Sequence, residues 1–176
     1  MATVMGPDRT KEEALIRLVN DNQTSLLKLC FAYLHDVALA EDAVQEKFLK
    51  AYKSLELYKG KASEKTWLSS IAINCCRDMR RSSWFKHVDS SVSLETLPEA
   101  SEPAADYDNA LALEIMRLPK RLKEVILLYY FRELSAIETA AVLGISQSAV
   151  SNRLKRAKAR LKKALGAQYE RGEQNE

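Results

Sequence analysis

The sequence is poor in the residues that favour turns, with only 5 glycines and 4 prolines among 176 residues. Folds built from many short strands depend on those residues at their turns, so a turn-rich all-β fold is excluded. No apolar run approaches the roughly 18–20 residues that cross a membrane. The first residues, MATVMGPDR, lack the basic start and apolar stretch of a secretion signal. We therefore expect a protein that resides in the cytoplasm.

Cysteine is equally scarce, and its spacing argues against a metal site. The three cysteines, Cys30, Cys75 and Cys76, lack the C-x-x-C spacing of zinc ligands. Neither His35 nor His87 has a second ligand close in sequence. A thiol on an apolar helix stripe packs as a small hydrophobe, so we expect core positions, no metal and no cofactor.

Acidic side chains are the remaining signal for catalysis, and Glu41, Asp42 and Glu46 lie within two helical turns. General acid–base catalysis needs a reacting partner within reach, and no histidine or nucleophile is near in sequence. These carboxylates are expected on an exposed helix face, either solvated or docked on a partner protein. The sequence therefore predicts no enzyme activity.

What the sequence has is an uneven distribution of charge. Its 27 basic and 24 acidic residues give a net charge of only +3. By segment the charge is +2 over 1–85, −6 over 86–116, +9 over 117–163 and −2 over 164–176. A local excess of this size attracts polyanions, so the C-terminal part is expected to bind nucleic acid.

Apolar residues recur at steps of three and four on both sides of a stretch rich in serine, proline and acidic residues. This pattern predicts an all-α fold of two small helical domains joined by a flexible acidic linker. The domains are expected at 10–85 and 109–166, the linker at 86–108 and a polar tail at 167–176.

Local signals place the helix ends. Thr10 and Glu13 have the spacing of a capping box for the first helix, and Asp36 has the side chain to cap the second. A third helix is predicted from Ser63 to Arg81, and the last one is expected to end near Leu165.

Residues 135–156, SAIETAAVLGISQSAVSNRLKR, have the spacing of a helix-turn-helix, and Ser135 with Glu138 has the spacing of a capping box at its start. Ala140 is small enough for close helix contact, Gly144 suits a left-handed turn and Val150 faces back into the core. The alternative is an ordinary αα-hairpin with a solvated basic face. Spacing, caps and the basic run favour DNA binding in the major groove. The outward side chains are Gln147, Ser148, Ser151, Asn152, Lys155 and Arg156.

The third helix carries a second polar face. Ser70, Asn74, Arg77 and Arg81 follow one another at steps of four, three and four. Aromatic, amide and arginine side chains beside a basic loop suit single-stranded nucleic acid, because bases stack on rings while arginines follow the backbone. The alternative is a solvated face. The preceding loop offers Tyr58, Lys59 and Lys61.

Three ordered segments resemble the small sigma factors of bacterial RNA polymerase. They are EDAVQEKFLKAY at 41–52, TWLSSIAINCCRDMRR at 66–81 and the stretch 118–161. The resemblance covers most of 25–85 and 110–163 and is to the extracytoplasmic-function group, which keeps only sigma regions 2 and 4. It implies a promoter-specificity subunit that directs initiation at stress or envelope-response promoters.

The resemblance also implies which residues act. In that family the D-x-x-Q-E-x-F helix docks on the clamp helices of the polymerase's largest subunit, and region 4 meets the flap. The implied core contacts are Asp42, Gln45, Glu46, Phe48 and Leu49. The implied contacts to the melted minus-ten element are Tyr58, Lys59, Lys61, Trp67, Ser70, Asn74, Arg77 and Arg81. The implied contacts to the minus-thirty-five duplex are Gln147, Ser148, Ser151, Asn152, Arg153, Lys155 and Arg156.

Such factors act as monomers and are usually held by an anti-sigma factor, often membrane-bound, so the resemblance implies that partner as well. The sequence departs from the family at Ser151, where many members have a basic residue, and at 137–140, where many members have two acidic residues before an Ile-Ala. Within the helix-turn-helix pattern Thr139 is a misfit, because an aliphatic residue would pack better. Two other classes predict features that are missing. A dimeric repressor needs a dimerisation signal, and a DNA recombinase needs an α/β catalytic domain.

Overall fold

The computed structural model describes residues 7–81 and 105–172, and every regular element in those ranges is helical. The predicted all-α fold is therefore confirmed. A 3₁₀ turn at Leu55–Leu57 follows the second helix, and a π-helical segment at Leu127–Phe131 continues the fifth. The helices are α1 (Pro7–Leu34), α2 (Val37–Ser54), α3 (Glu64–Arg81), α4 (Ala105–Arg117), α5 (Lys120–Ile126), α6 (Ala136–Leu143) and α7 (Gln147–Gly172).

Several predicted helix ends are confirmed. The Asp36 side chain accepts a 2.9 Å hydrogen bond from the Leu39 amide and so caps α2. Ser135 and Glu138 form a reciprocal capping box at the start of α6. Gly144 ends α6 at φ 67°, a left-handed conformation that glycine adopts without a steric penalty.

Other helix ends differ from the prediction. α1 begins at Pro7 rather than Thr10, because a proline at a first helical position loses no hydrogen bond. α7 continues to Gly172, past the expected end at Leu165. α4 begins at Ala105, within the predicted linker. The rest of that linker, up to residue 104, lies outside the described residues.

The two helical halves pack against each other. α1, α2 and α3 form the N-terminal half, and α4 to α7 form the C-terminal half, with α7 against α4, α5 and α6. α3 also contacts α6, and α1 contacts both α4 and the π-helical segment. Buried residues of both halves, such as Leu29, Ile73, Leu127 and Val150, belong to one continuous core.

This shared core widens the buried face of α3. Leu68, Ala72 and Cys75 are buried on α3, whereas Trp67 and Ile71 are only half-buried. Ile73 and Cys76 are fully buried as well, and both belong to the core that the two halves share. Helical periodicity identifies an apolar face, but it does not say which element covers the neighbouring positions.

Candidate nucleic-acid interface

An aromatic cleft lies just before and at the start of α3. The Tyr58 ring stacks on Trp67, with ring centroids 4.7 Å apart and planes inclined by 26°. The Tyr58 hydroxyl donates to the Ala62 carbonyl, and Gly60 turns the intervening loop at φ 66°. The cleft encloses about 270 Å³, a little under the roughly 300 Å³ at which ligand pockets begin. Its lining includes four predicted contacts, Tyr58, Lys59, Lys61 and Trp67.

The polar face of α3 is divided between solvent and the C-terminal half. Asn74 and Arg81 are exposed, and Ser70 is half-buried. Arg77 instead reaches α5, where its Nε and Nη2 atoms each donate a 2.9 Å hydrogen bond to the Glu124 carboxylate. In this structure Arg77 joins the two halves, while its three companions remain on the open side of the helix.

Glu124 is the centre of that junction. Its side chain is only 3% exposed, and it accepts a further 2.9 Å hydrogen bond from the Tyr33 hydroxyl on α1. The hydrogen bond to Glu124, followed by the charge of that carboxylate, raises the pKa of Arg77. A buried carboxylate with three donors is fully satisfied, whereas one that loses its cation is strongly destabilising.

Arg132 forms a second junction from the C-terminal half. It is 2% exposed, and its Nε donates to the Ser69 hydroxyl over 3.0 Å. Its Nη2 donates to Asn22 Oδ1 over 2.9 Å, and its Nη1 donates to the Ser25 hydroxyl. Burial chiefly lowers the pKa of Arg132. This guanidinium ties the end of the π-helical segment to both α1 and α3.

Glu138 joins the halves while it caps its own helix. One carboxylate oxygen accepts from the Ser135 amide, and the other accepts from the Thr66 hydroxyl over 2.9 Å. The Ser135 amide and hydroxyl, followed by Thr66, lower the pKa of Glu138. The start of α6 is therefore bonded to the start of α3.

The helix-turn-helix of α6 and α7 presents its predicted DNA-reading side outward. Val150 and Ala157 are fully buried against the rest of the C-terminal half, so the opposite side of α7 faces solvent. Ser151 donates to the Gln147 carbonyl, and Arg153 is half-buried. The exposed predicted contacts are Gln147, Ser148, Ser151, Asn152, Lys155 and Arg156.

The predicted polymerase-docking helix, α2, has one open face. Asp42, Gln45 and Leu49 are exposed, and Leu49 shows 54% of its surface. Glu46 is half-buried and forms a 2.7 Å ion pair with the lysine one turn later. Phe48 is buried at 8% exposure, so it anchors α2 to the core rather than forming part of the open face.

Lys47 lies on the buried side of α2. It is fully buried, and its Nζ has no hydrogen-bond partner among the described residues. It sits 4.0 Å from the Phe48 ring centroid and among the thiols of Cys30, Cys75 and Cys76. Burial lowers the pKa of Lys47 to about 7.

Sequence reasoning did not identify Arg132, Glu124 or Lys47 as contacts. Two signals were present. Arg132 interrupts an apolar stretch that runs from Leu127 to Leu134, and Lys47 falls one turn after the buried Ala43. A cationic residue within an apolar stripe indicates a buried charge with a structural role.

Comparison with known proteins identifies the family of the chain. The profile of Sigma-70 region 2 matches residues 18–86, and that of Sigma-70, region 4 matches residues 108–161. The ECF RNA polymerase sigma factor SigL of Mycobacterium tuberculosis is 33% identical over 160 residues, which cover 88% of this chain and 90% of SigL. The chain belongs to the sigma-70 family, in its extracytoplasmic-function group. This sigma factor is thus a promoter-specificity subunit of RNA polymerase.

Two further relatives agree. The probable RNA polymerase sigma factor RfaY of Xanthomonas campestris is 33% identical over 163 residues, and the match covers 88% of this chain. The chain spans only 41% of the length of RfaY. The solved structure of CnrH in complex with the cytosolic domain of CnrY matches with a TM-score of 0.69 at 27% identity, over 89% of this chain and 90% of CnrH.

No group of three or more histidine, cysteine or acidic side chains among the described residues is arranged to hold a metal ion. None of the described helices is long and apolar enough to span a membrane.

Proposed function

We propose that this sigma factor captures the melted minus-ten element in the cleft that Tyr58 and Trp67 line. The stacked rings offer an aromatic platform for an unstacked base, and stacking contributes about 1–3 kcal/mol per base. Trp67, Ser70 and Asn74 follow at helical steps of three and four, so Asn74 lies on the same face as the cleft. Its exposed amide is the group suited to read the edge of that base.

Basic side chains around the cleft are proposed to hold the DNA backbone. Lys59 and Lys61 flank it, and Arg81 lies in the last turn of α3. Arg77 is proposed to join them only after it leaves Glu124, which requires the two halves to separate on the promoter. The observation that supports the proposal best is the cleft itself, with its stacked rings and two flanking lysines.

The helix-turn-helix is proposed to bind the minus-thirty-five element in the major groove. Asn152 and Arg156 have the donor patterns that read bases, and Lys155 and Ser148 suit phosphates. All four are exposed on one side of α7. Arg153 and Gln147 complete the proposed contact surface.

The open face of α2 is proposed to dock on the clamp helices of the largest polymerase subunit, and the C-terminal half on the flap. The face combines acidic side chains with the exposed Leu49, a composition suited to a protein partner. We propose that the sigma factor works in the cytoplasm as a monomer, without a cofactor and without catalytic activity of its own.

An anti-sigma factor is the proposed regulator. CnrH, whose fold and sequence are similar, has been solved bound to the cytosolic domain of CnrY. We propose a comparable inhibitor for this chain, possessing a membrane anchor, that covers the polymerase and DNA surfaces until it is released.

Run-off transcription with purified core polymerase tests the minus-ten assignment. Asn74→Ala is expected to reduce discrimination at one minus-ten position, where a good base contact contributes about 1–3 kcal/mol. Gln23→Ala, which removes an exposed amide from α1, is the matched control and should leave base preference unchanged. Equal losses at every minus-ten base would contradict the reading role of Asn74.

Salt dependence tests the minus-thirty-five assignment. Replacing one phosphate-contacting cation reduces the slope of log affinity against log salt by about one. Lys155→Ala should show this reduction on minus-thirty-five duplex, and the exposed Lys28→Ala on α1 should not. An unchanged slope for Lys155→Ala would exclude its phosphate contact.

A further inference from the structure

A second cleft opens between the two halves, where the ends of α1 and α3 meet the α4–α5 turn, and it encloses about 440 Å³. Five of its lining side chains are basic, and the rest are apolar residues of that turn. No carboxylate among the described residues lines it. The basic side chains are His35, Arg80, Arg117, Lys120 and Lys123.

Lys123 lies at the floor of this cleft. It is 2% exposed, and its Nζ lies 2.7 Å from Nε2 of His35. Burial, followed by the charge of Arg80, lowers the pKa of Lys123 to about 7. Burial, followed by the charges of Lys123 and Arg80, lowers the pKa of His35 to about 4. The cleft thus gathers basic groups whose charged forms repel one another and lose hydration.

The carboxylates near the cleft are hydrogen-bonded to other side chains. Glu124, the neighbour of Lys123 in sequence, is held by Arg77 and Tyr33, and the Tyr33 ring lies 6.0 Å from the Arg80 guanidinium. At the rim, Arg117 donates to Glu114 over 2.8 Å. Arg80 and Lys123 form no ion pair with a carboxylate of the described residues. The charge of the cleft is therefore complementary to an anion from outside.

We propose that this cleft binds a phosphate-bearing small molecule whose phosphate is held by Arg80 of the N-terminal half and Lys120 and Lys123 of the C-terminal half. Arg80 and Lys120 are exposed at the mouth of the cleft, and Lys123 is buried at its floor. A terminal phosphate reaches that floor, whereas the phosphates of a duplex, flanked on both sides by sugars, meet only the mouth. The ligand bridges the halves and stabilises the arrangement in which Arg77 is held by Glu124.

Binding is linked to protonation. An anion favours the charged forms of Lys123 and His35, so their pKa values rise in the complex. Near neutral pH the free protein is only partly protonated at Lys123, and binding takes up a proton. The affinity is therefore highest below pH 7 and falls as the pH rises above it.

Calorimetric titration of the full chain with metal-free pyrophosphate tests the proposal. One saturable site is expected, and Arg80→Ala and Lys123→Met should each weaken it by about tenfold or more, as expected for the loss of a charged hydrogen bond. Lys53→Ala removes an exposed cation from α2 and should leave the affinity unchanged. Titrations in two buffers of different ionisation enthalpy should show less proton uptake in Lys123→Met than in wild type.

A thermal unfolding curve checks that Lys123→Met is folded. Because Arg80 is exposed, Arg80→Ala tests the site without the risk of misfolding. A titration that does not saturate, or that Lys53→Ala weakens as much as Arg80→Ala, would overturn the site. A short duplex of random sequence distinguishes the source of the phosphate. If Arg80→Ala weakens the duplex as strongly as pyrophosphate, the cleft belongs to the DNA surface and the small-molecule site is excluded.

Discussion

The two halves of this sigma factor use their basic side chains differently. On α7 the exposed Lys155 and Arg156 form no ion pair with a carboxylate in the part of the chain that the structure describes. On α3, Arg77 is held by the buried Glu124, and only Asn74 and Arg81 remain fully open. The C-terminal half therefore keeps its recognition surface free, whereas the N-terminal half shares its surface with the contact between the halves.

The buried polar groups of the two halves differ as well. In the N-terminal half the buried Lys47 ammonium lies among three thiols, and its pKa is lowered to about 7. In the C-terminal half the only buried polar side-chain atom without a partner, among the described residues, is the Thr139 hydroxyl. Each half thus carries one uncompensated polar group, but only the one on α2 changes its charge with pH.

The largest expected effect comes from breaking the Arg77–Glu124 pair. Arg77→Ala leaves a carboxylate buried without its cation, and such a loss typically costs about 3–5 kcal/mol of unfolding free energy. Urea unfolding of the full chain measures it. Arg81→Ala, on the open side of the same helix, is the matched control and should change stability by no more than about 0.5 kcal/mol.

A double substitution sharpens this result. Replacing Arg77 by methionine and Glu124 by leucine together removes both charges, so the double variant should be much more stable than Arg77→Ala. Equal small effects of Arg77→Ala and Arg81→Ala would mean that the halves do not pack in solution as they do in this structure.

The second effect concerns the pH dependence of stability. Lys47 binds a proton in the unfolded chain up to about pH 10.5 but releases it near pH 7 in the fold. The unfolded state therefore holds more protons between these values, and stability rises with pH there, by at most about 1.4 kcal/mol per pH unit. Lys47→Met should lessen that rise.

Unfolding curves at pH 7 and pH 9 give the comparison. The methionine variant should gain most at the lower pH, where the buried ammonium is most unfavourable. Since Lys123 has a similarly lowered pKa, it leaves a residual slope in the variant. A variant with the same slope as wild type would show that Lys47 is solvated in solution.

The smallest effect tests the C-terminal core. Thr139→Val replaces a buried hydroxyl that has no partner by a methyl group of similar size. The expected gain is about 1 kcal/mol in unfolding free energy, because the desolvated hydroxyl is removed. Ser148→Ala, an exposed hydroxyl at the start of α7, is the control and should be nearly neutral in urea unfolding. Destabilisation by Thr139→Val would indicate a bonded hydroxyl.

Local signals were sufficient to predict much of the fold. Asp36, the Ser135–Glu138 box and Gly144 act where the sequence placed them, because each works through backbone groups within a few residues. The helix-turn-helix is predictable for the same reason. Its caps, its glycine turn and its apolar positions are all local in sequence.

The contact between the halves was not predictable in this way. The partners Arg77 and Glu124 are 47 residues apart, and Asn22 and Arg132 are 110 apart. No periodicity in either segment specifies the other, since a polar residue at a helix face fits solvent, DNA or a distant helix equally well. Arg77 lies on the face where the two halves meet. The sequence alone therefore placed Arg77 on an open surface, whereas the structure holds it against Glu124.

The most direct measurement is run-off transcription with core polymerase on two promoter sets, one substituted in the minus-ten element and one in the minus-thirty-five element. Asn74→Ala should lose base discrimination in the minus-ten set only, and Arg156→Ala in the minus-thirty-five set only. That result would assign melting and anchoring to separate surfaces on the two halves. Failure of the wild-type chain to direct initiation, or loss of discrimination in both sets from either variant, would contradict the account.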